Sequence, residues 1–200
     1  MANFALETGL KRLNFDTIIG VDEAGRGPLA GPVVAGAVCL QSAHFKNRID
    51  DSKRLTKSQR EDAFLEIIQK SMFALSIVDE NTVDALNILV ATRLCMEDAV
   101  LSLIKKIENK KICILVDGNI KFRIRDFPIF NIIKGDARSI SIASASILAK
   151  VSRDRIMSLY DKVWPQYGFL RHKGYPTTFH RNALKQFGPC PIHRLTFSHD

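Results

Sequence analysis

Residues 17–28 read TIIGVDEAGRGP, and this stretch decides the fold. Its first five residues form a mostly apolar run, which is typical of a buried β-strand, and the run ends at Asp22 and Glu23. The Ala-Gly-Arg-Gly-Pro segment that follows contains too much glycine and proline to continue as a strand or a helix. We therefore predict a strand that leads into a loop, with two carboxylates at the junction.

Apolar periodicity elsewhere in the chain predicts a mixed α/β architecture. The predicted strands span residues 17–21, 32–40, 72–78, 111–116 and 128–133. Helices are predicted after the capping box 56–59, from soon after Asn81 to Ile107 with Leu89 on the apolar face, over 139–160 and over 179–187. The strands come first in a run and then alternate with helices. This order favours a mixed sheet with helices on its faces.

Charge and cysteine usage narrow the class of protein. The 200 residues carry 29 Lys and Arg against 21 Asp and Glu, a formal charge of +8 that favours a polyanionic partner. The four cysteines are far apart in mostly apolar surroundings, which indicates free thiols in a reducing compartment. Without a signal-like start or a long apolar stretch, we expect a cytoplasmic protein that does not enter a membrane.

Acidic residues end three of the predicted strands: Asp22 with Glu23, then Asp117, then Asp136. If these strands are neighbours, the four carboxylates gather at one edge of the sheet. Such a cluster is unstable unless cations neutralise it, because like charges at close range repel each other. Carboxylate oxygens suit Mg²⁺ or Mn²⁺. Two such ions roughly 4 Å apart can activate water and stabilise the leaving oxygen of a phosphodiester.

A plainer interpretation of these acids also exists. Asp117-Gly118 is a common turn dipeptide, and Asp136 could cap the following helix. Successive strand residues point to opposite faces, so Asp22 and Glu23 reach one site only if the strand ends or distorts there.

Three other segments offer contacts to phosphate. Gly25-Arg26-Gly27 allows a ligand close to the backbone beside a cation, although an ordinary turn explains it equally well. Lys53 lies in a loop before a helix, where the alternative is a solvated charge run. Residues 172–177, HKGYPT, place basic groups beside the ring of Tyr175. His172, His180 and His193 lack metal-ligand spacing and are interpreted as surface or polar-contact groups.

Taken together, these motifs resemble the ribonuclease HII family over nearly the whole chain. The segments that carry the resemblance are VDEAGRGP (21–28), DSK (51–53), LNI (86–88), VDG (116–118), KGD (134–136), ASASILAKV (143–151), RDR (153–155) and HKGYPT (172–177).

The resemblance implies the ribonuclease H-like fold, with a catalytic domain over 1–165 and a C-terminal helical extension over 166–200 that packs on it and contacts substrate. It implies a monomeric endonuclease that cuts the RNA strand of RNA/DNA hybrids, and cuts 5′ of ribonucleotides within duplex DNA to leave 3′-hydroxyl and 5′-phosphate ends. By the same resemblance, Asp22, Glu23, Asp117 and Asp136 are the catalytic residues and hold Mg²⁺ or Mn²⁺, with two ions during catalysis.

The substrate-binding residues implied by the resemblance are Gly25, Arg26, Gly27, Lys53 and Tyr175. The glycine-flanked arginine is similar to the family's element that contacts the ribose 2′-hydroxyl, the group that distinguishes RNA from DNA. Tyr175 is similar to a tyrosine that stacks on the next sugar, and Lys53 to a lysine that contacts phosphate.

Three alternatives stay open at this point. Asp154 competes with Asp136 as the fourth acid, although Lys150 four residues earlier favours a helical ion pair. A DNA-cutting nuclease or resolvase would share the metals, but Arg26 and Tyr175 argue against it. A basic nucleic-acid-binding protein without catalysis would explain the charge, but gives no reason for acids to end three strands.

Overall fold

The computed structural model describes residues 1–108 and 111–198. Its strands are β1 (Thr17–Ala24), β2 (Val33–Leu40), β3 (Ser71–Val78), β4 (Ile112–Asp117) and β5 (Ile129–Ile132). Its helices are α1 (Ala5–Arg12), α2 (Lys57–Lys70), α3 (Glu80–Leu86), α4 (Ile88–Ile104), α5 (Ile140–Val163), α6 (Phe169–His172) and α7 (Thr178–Phe187). Short 3₁₀ turns cover 52–54, 135–137 and 165–167.

The five strands form one mixed sheet in the order β3-β2-β1-β4-β5. β1 pairs antiparallel with β2, and β2 pairs antiparallel with β3. On its other side β1 pairs parallel with β4, which pairs parallel with β5. The carboxyl ends of β1, β4 and β5 therefore lie together at one edge of the sheet.

Helices cover both faces of the sheet. α3 and α4 pack on one face around Val21, Val83, Met96 and Val116. α2 and α5 pack on the other face, where α5 comes very close to β1 and β2. A Cβ at Gly20 would overlap the backbone of Ser141, and one at Gly36 would lie 2.8 Å from the carbonyl oxygen of Ala145. Glycine at these two positions is what allows the close approach.

The C-terminal part packs onto the sheet-bearing part through a shared apolar cluster. Leu29 and Ala30 of the loop after β1, together with Met157 of α5, contact a set of residues from the C-terminal part. That set comprises Tyr167, Phe169, Ala183, Leu184, Cys190 and Ile192. The loop after β1 is thus held between α5 and the chain's last helices.

The predicted fold class is confirmed, with the strands within one to three residues of their expected ends. The capping box is present, because Thr56 Oγ1 accepts from the Gln59 amide and Gln59 Oε1 accepts from the Thr56 amide. None of the four cysteines forms a disulfide, and Cys39 is partly exposed. None of the described helices is both long and apolar enough to cross a membrane.

The long helix predicted from residue 81 to 107 is wrong in one respect, because the structure has two helices there. Asn87 lies between them at φ 68°, and its side chain accepts from the amides of Leu89 and Val90 to cap α4. Leu89, expected on the buried face, is 59% exposed, and α4 ends at Ile104 rather than Ile107. Apolar periodicity alone predicted one continuous helix here, whereas Asn87 ends α3 and caps a separate helix α4.

Candidate active site

Three carboxylates meet at the edge where β1, β4 and β5 end. Asp22 lies near the end of β1, Asp117 is the last residue of β4, and Asp136 lies in the turn after β5. Among the described residues, 1–108 and 111–198, these three aspartates form a group in which one carboxylate oxygen of each lies within 4.8 Å of one oxygen of each of the others. All three donors are carboxylate oxygens, the ligand type that suits Mg²⁺ and Mn²⁺. The donor set therefore fits a divalent cation.

Neighbouring polar groups fix the first two acids. Asp22 follows Gly20 by two residues and so faces α5, where Ser146 donates a hydrogen bond to it. Its Oδ1 also accepts from the Glu23 amide at 2.8 Å. Asp117 Oδ1 accepts from the Gly135 amide at 2.6 Å, which links the end of β4 to the turn that carries Asp136. The acids are thus held by the backbone around them.

Burial and mutual repulsion shift the acidity of the cluster. Burial raises the pKa of Asp22 well above its usual range, and the charges of Glu23 and Asp117 add to this. Burial also raises the pKa of Asp136, again with a contribution from Asp117. Carboxyl groups in this condition bind a proton or a cation more readily than isolated ones.

Glu23 lies outside this group of three. β1 continues without a break to Ala24, with Glu23 paired opposite Ala35 of β2, so the expectation that the strand ends or distorts at these acids is wrong. Glu23 instead receives an ion pair from Arg26, with Nη1 3.4 Å from Oε1. Burial raises its pKa, and the charge of Arg26 opposes this.

The structure also shows where Asp136 and Asp154, the two candidates for the fourth acid, lie. Asp136 does not cap α5, because Ser139 Oγ accepts from the Ile142 amide and fills that role. Asp154 lies outside the group of three and forms an ion pair with Lys150 at 2.7 Å within α5. The Asp117-Gly118 turn does exist, with Gly118 at φ 75°, and it coexists with the clustered position of Asp117.

Lys53 is a cation that faces the cluster. Burial lowers the pKa of Lys53, but the charges of Asp51 and of the three clustered acids outweigh this and raise it. Its backbone amide donates to Asp51 Oδ1 at 2.9 Å, which fixes the turn that presents it. Lys53 therefore stays charged beside the acids.

The glycine-flanked arginine and Tyr175 lie together. Gly25 has φ 106°, and Arg26 projects with 42% of its side chain exposed. A Cβ added to Gly27 would be 3.6 Å from Cε1 of Tyr175, so the tyrosine ring packs against the loop. Lys150 Nζ lies 5.9 Å from the centre of that ring.

Several residues around the site were missed by the sequence reasoning. Ser146, which bonds Asp22, is itself 3.1 Å from Ser52 Oγ, and only their place in quoted motifs could have pointed to them. His180 and His193 form polar contacts, as expected, but they are buried rather than at the surface. Their Nε2 atoms are 3.0 Å apart, and His180 donates from Nδ1 to the Tyr175 carbonyl oxygen at 3.0 Å.

Comparison with known proteins agrees with this geometry. The family model described as Ribonuclease HII matches residues 19–200. A ribonuclease HII from Ruminiclostridium cellulolyticum is 51% identical over 188 residues, covering 92% of this chain and 70% of the relative.

Solved structures are similar as well. Ribonuclease H2 from Pyrococcus horikoshii OT3 aligns with a TM-score of 0.72 at 27% identity, covering 92% of this chain and 94% of that one. Bst-RNase HIII, crystallised in complex with Mn²⁺, shares the fold with a TM-score of 0.74 at 17% identity, covering 94% and 69%. With three carboxylates clustered at the ends of neighbouring strands, the chain belongs to the ribonuclease HII family of divalent-metal-dependent hydrolases that act on RNA paired with DNA.

Proposed function

We propose that this ribonuclease H cuts the RNA strand of hybrids internally and also cuts on the 5′ side of single ribonucleotides embedded in duplex DNA. The products would carry 3′-hydroxyl and 5′-phosphate ends. One observation carries the proposal: the loop over residues 25–27 and Tyr175 pack against each other at the end of the strand that bears Asp22. A carboxylate cluster suited to phosphodiester hydrolysis thus lies beside a segment suited to contacting a sugar.

We assign Asp22, Glu23, Asp117 and Asp136 to a site for two ions of Mg²⁺ or Mn²⁺. When bound, two such ions supply an activated water and stabilise the charge on the leaving 3′ oxygen. The raised pKa values of Asp22 and Asp136 support the assignment, since both acids gain from a neutralising cation. Although β1 stays regular through both acids, Glu23 lies close enough to the cluster to raise the pKa of Asp22 and to have its own pKa raised by Asp117. It joins the set by exchanging its ion pair with Arg26 for a cation.

Recognition of the ribose is assigned to Gly25, Arg26, Gly27 and Tyr175. The glycines leave main-chain groups open to a 2′-hydroxyl, which can both donate and accept a hydrogen bond. Tyr175 is 42% exposed, and its ring offers an apolar face to the following sugar. Lys53 contacts the scissile phosphate, as its charge beside the acids supports.

Two grooves that share residues with the site carry basic side chains, which can bind the phosphates of a duplex. Tyr175 lines a groove of about 680 Å³, and Arg26 lines a second of about 300 Å³. Cationic residues along the two grooves are Lys57, Arg60, Lys150, Arg155, Arg171 and Lys173 in the first and Arg26, Arg93 and Lys121 in the second. These side chains bind the sugar-phosphate backbone, while residues 25–27 contact the sugar.

A labelled DNA duplex with one ribonucleotide tests the function directly. Wild type with Mg²⁺ or Mn²⁺ should give one cut 5′ of the ribonucleotide, while an all-DNA duplex should stay intact. Asp117→Asn should abolish cleavage, and Asp98→Asn on the exposed face of α4 should not. Equal cutting of the all-DNA duplex would remove the ribose-recognition role. Binding that survives chelation, with no cleavage under any condition, would favour the non-catalytic alternative.

We further propose that the enzyme acts as a monomer in the cytoplasm. One chain supplies the acids, the loop and Tyr175, which supports activity without a second copy. The four cysteines, none of which forms a disulfide, support a reducing compartment.

A further inference from the structure

Two arginines are buried beneath the loop that follows β1. Arg153 of α5 is 1% exposed and Arg194 of the C-terminal segment is 0% exposed, which is unusual for side chains of permanent charge. Burial lowers the pKa of each to about 10, so both remain charged at neutral pH. Neither arginine is among the residues assigned above to metal binding or to substrate binding.

Arg194 donates five hydrogen bonds to main-chain carbonyl oxygens of this loop. Nη2 donates to Gly25 at 2.7 Å and to Gly31 at 2.6 Å, and Nε donates to Gly31 at 3.0 Å. Nη1 donates to Arg26 at 3.1 Å and to Pro28 at 2.9 Å. One planar guanidinium therefore fixes the carbonyls on both sides of Gly27.

Arg153 completes the attachment from the other side. It donates to the carbonyl oxygens of Pro32 at 2.9 Å, Ala30 at 3.0 Å and Lys173 at 2.9 Å. The last of these lies two residues before Tyr175. A Cβ at Gly25 would overlap the Arg153 side chain, so the loop lies directly on the guanidinium.

The same contacts join the loop to the segment that carries Tyr175. The Leu29 amide donates to the Gly174 carbonyl oxygen at 2.8 Å, and the Arg194 amide donates to the Leu29 carbonyl oxygen at 2.8 Å. Residues 25–32 form no ladder with a neighbouring strand apart from single bridges, so their buried carbonyls need other donors. A guanidinium with five donors in a rigid fork meets that need where a lysine cannot.

We propose that Arg153 and Arg194 are positioning residues for ribonucleotide cleavage, which set the geometry of residues 25–27 against Tyr175 through main-chain carbonyls. The proposal goes beyond the assigned function but rests on it, since it concerns the same sugar-contacting loop. Neither arginine touches substrate. A misplacement of about 1 Å in such a loop costs on the order of 100-fold in rate.

Arg194→Lys and Arg153→Lys test this proposal, with Leu103→Ala as the control. Leu103 lies on the buried face of α4 and packs in a core cluster that contains none of residues 25–32. Circular dichroism and thermal unfolding identify a temperature at which all proteins stay folded. Three experiments then follow: steady-state kinetics for kcat and KM on the one-ribonucleotide duplex, calorimetry for Mn²⁺ affinity, and hydrogen exchange at the Leu29 and Gly31 amides.

We expect kcat to fall about 100-fold in each lysine variant, with KM and Mn²⁺ affinity little changed. Exchange at Leu29 and Gly31 should speed up in these variants and stay slow in Leu103→Ala. If the lysine variants lose no more activity than Leu103→Ala, or keep both amides protected, the proposal is wrong. It is also wrong if neither lysine variant folds, because the arginines would then serve the whole fold. A wild type that cuts nothing refutes the assigned function instead, while the exchange data still test the placement of the loop.

Discussion

Asp117→Asn should make the metal-free protein more stable while it abolishes activity. Asp117 raises the pKa of Asp22, Glu23 and Asp136, so its charge repels each of the other acids at the site. The substitution keeps the oxygen that accepts from the Gly135 amide at 2.6 Å, so the turn after β5 should stay in place. What changes is one negative charge.

The magnitude follows from the separation of the acids. At 4.8 Å, the upper limit between the ligand oxygens of the three aspartates, two unit charges repel by about 3.5 kcal/mol at an effective dielectric constant near 20 and about 0.9 kcal/mol in water. Lys53 and partial protonation offset part of this. We therefore expect the free energy of unfolding to rise by about 1–3 kcal/mol, or about 2–4 °C in Tm for each kcal/mol.

The assay is thermal or urea unfolding with a chelator and with saturating Mg²⁺ or Mn²⁺, beside the exposed control Asp98→Asn. A cation bound to the folded state should stabilise wild type more than Asp117→Asn. The difference in unfolding free energy between the two proteins should therefore become smaller or change sign when the metal is present. The pKa values of Asp22 and Asp136 are raised above the ordinary 3.8 for aspartate. Their repulsion is therefore absent below about pH 4 and grows as pH rises through the raised values, which means that the two proteins should converge in acid. A metal-free variant less stable than wild type at pH 7, or a gain that persists unchanged at pH 4, would refute the electrostatic reasoning.

Three further changes test the fold and the site. Gly20→Ala should lower the free energy of unfolding by about 1–3 kcal/mol or more, because the added methyl overlaps the Ser141 backbone; an unchanged urea midpoint would contradict this. Glu66→Gln should cost about 1–3 kcal/mol at pH 7, since the buried carboxylate bonds Lys70 and two amides. Burial opposes the low pKa of Glu66, yet these bonds hold it at about 2 against an ordinary 4.5. In urea titrations, the stability advantage of wild type over Glu66→Gln should therefore disappear as pH falls from about 4.5 to 2. An advantage that persists in full at pH 2 would contradict this account of the carboxylate. Tyr175→Ala should reduce kcat/KM on the one-ribonucleotide duplex by about 10-fold or more while Tyr175→Phe keeps most of it, as expected for a stacking ring, and equal losses would point to the hydroxyl instead.

The clustering of acids could be predicted because strand ends are readable from sequence. Asp117 and Asp136 follow apolar runs, and parallel neighbours bring their ends together. Side-chain alternation also warned that Asp22 and Glu23 would face opposite sides. The prediction that β1 ends or distorts at these residues was wrong, because β2 pairs regularly with β1 at both acids. Pairing partners that lie far away in sequence decide such details.

Elements that depend on tertiary contacts could not be predicted in the same way. α1 has eight residues and few apolar positions, and was not predicted. It is held by Glu7, whose Oε1 accepts from Ser139 Oγ and from the Ser141 amide at the start of α5. The buried pair His180 and His193 likewise gave no periodic signal, because its burial comes from α7 and the C-terminal segment folding over the loop after β1. Sequence patterns report local periodicity, whereas these features arise from distant segments.

The close packing of α5 connects the fold to the chemistry. Small residues at positions 143–146 let the helix approach β1, and Ser146 in that same run donates to Asp22. A larger side chain there would move the helix away from Gly20 and Gly36 and would also separate the hydroxyl from the carboxylate. About two turns further along the helix, Arg153 holds the loop after β1. The helix α5 thus fixes the positions of both the Asp22 carboxylate and the loop after β1. A shift of α5 should therefore disturb metal binding and sugar recognition together.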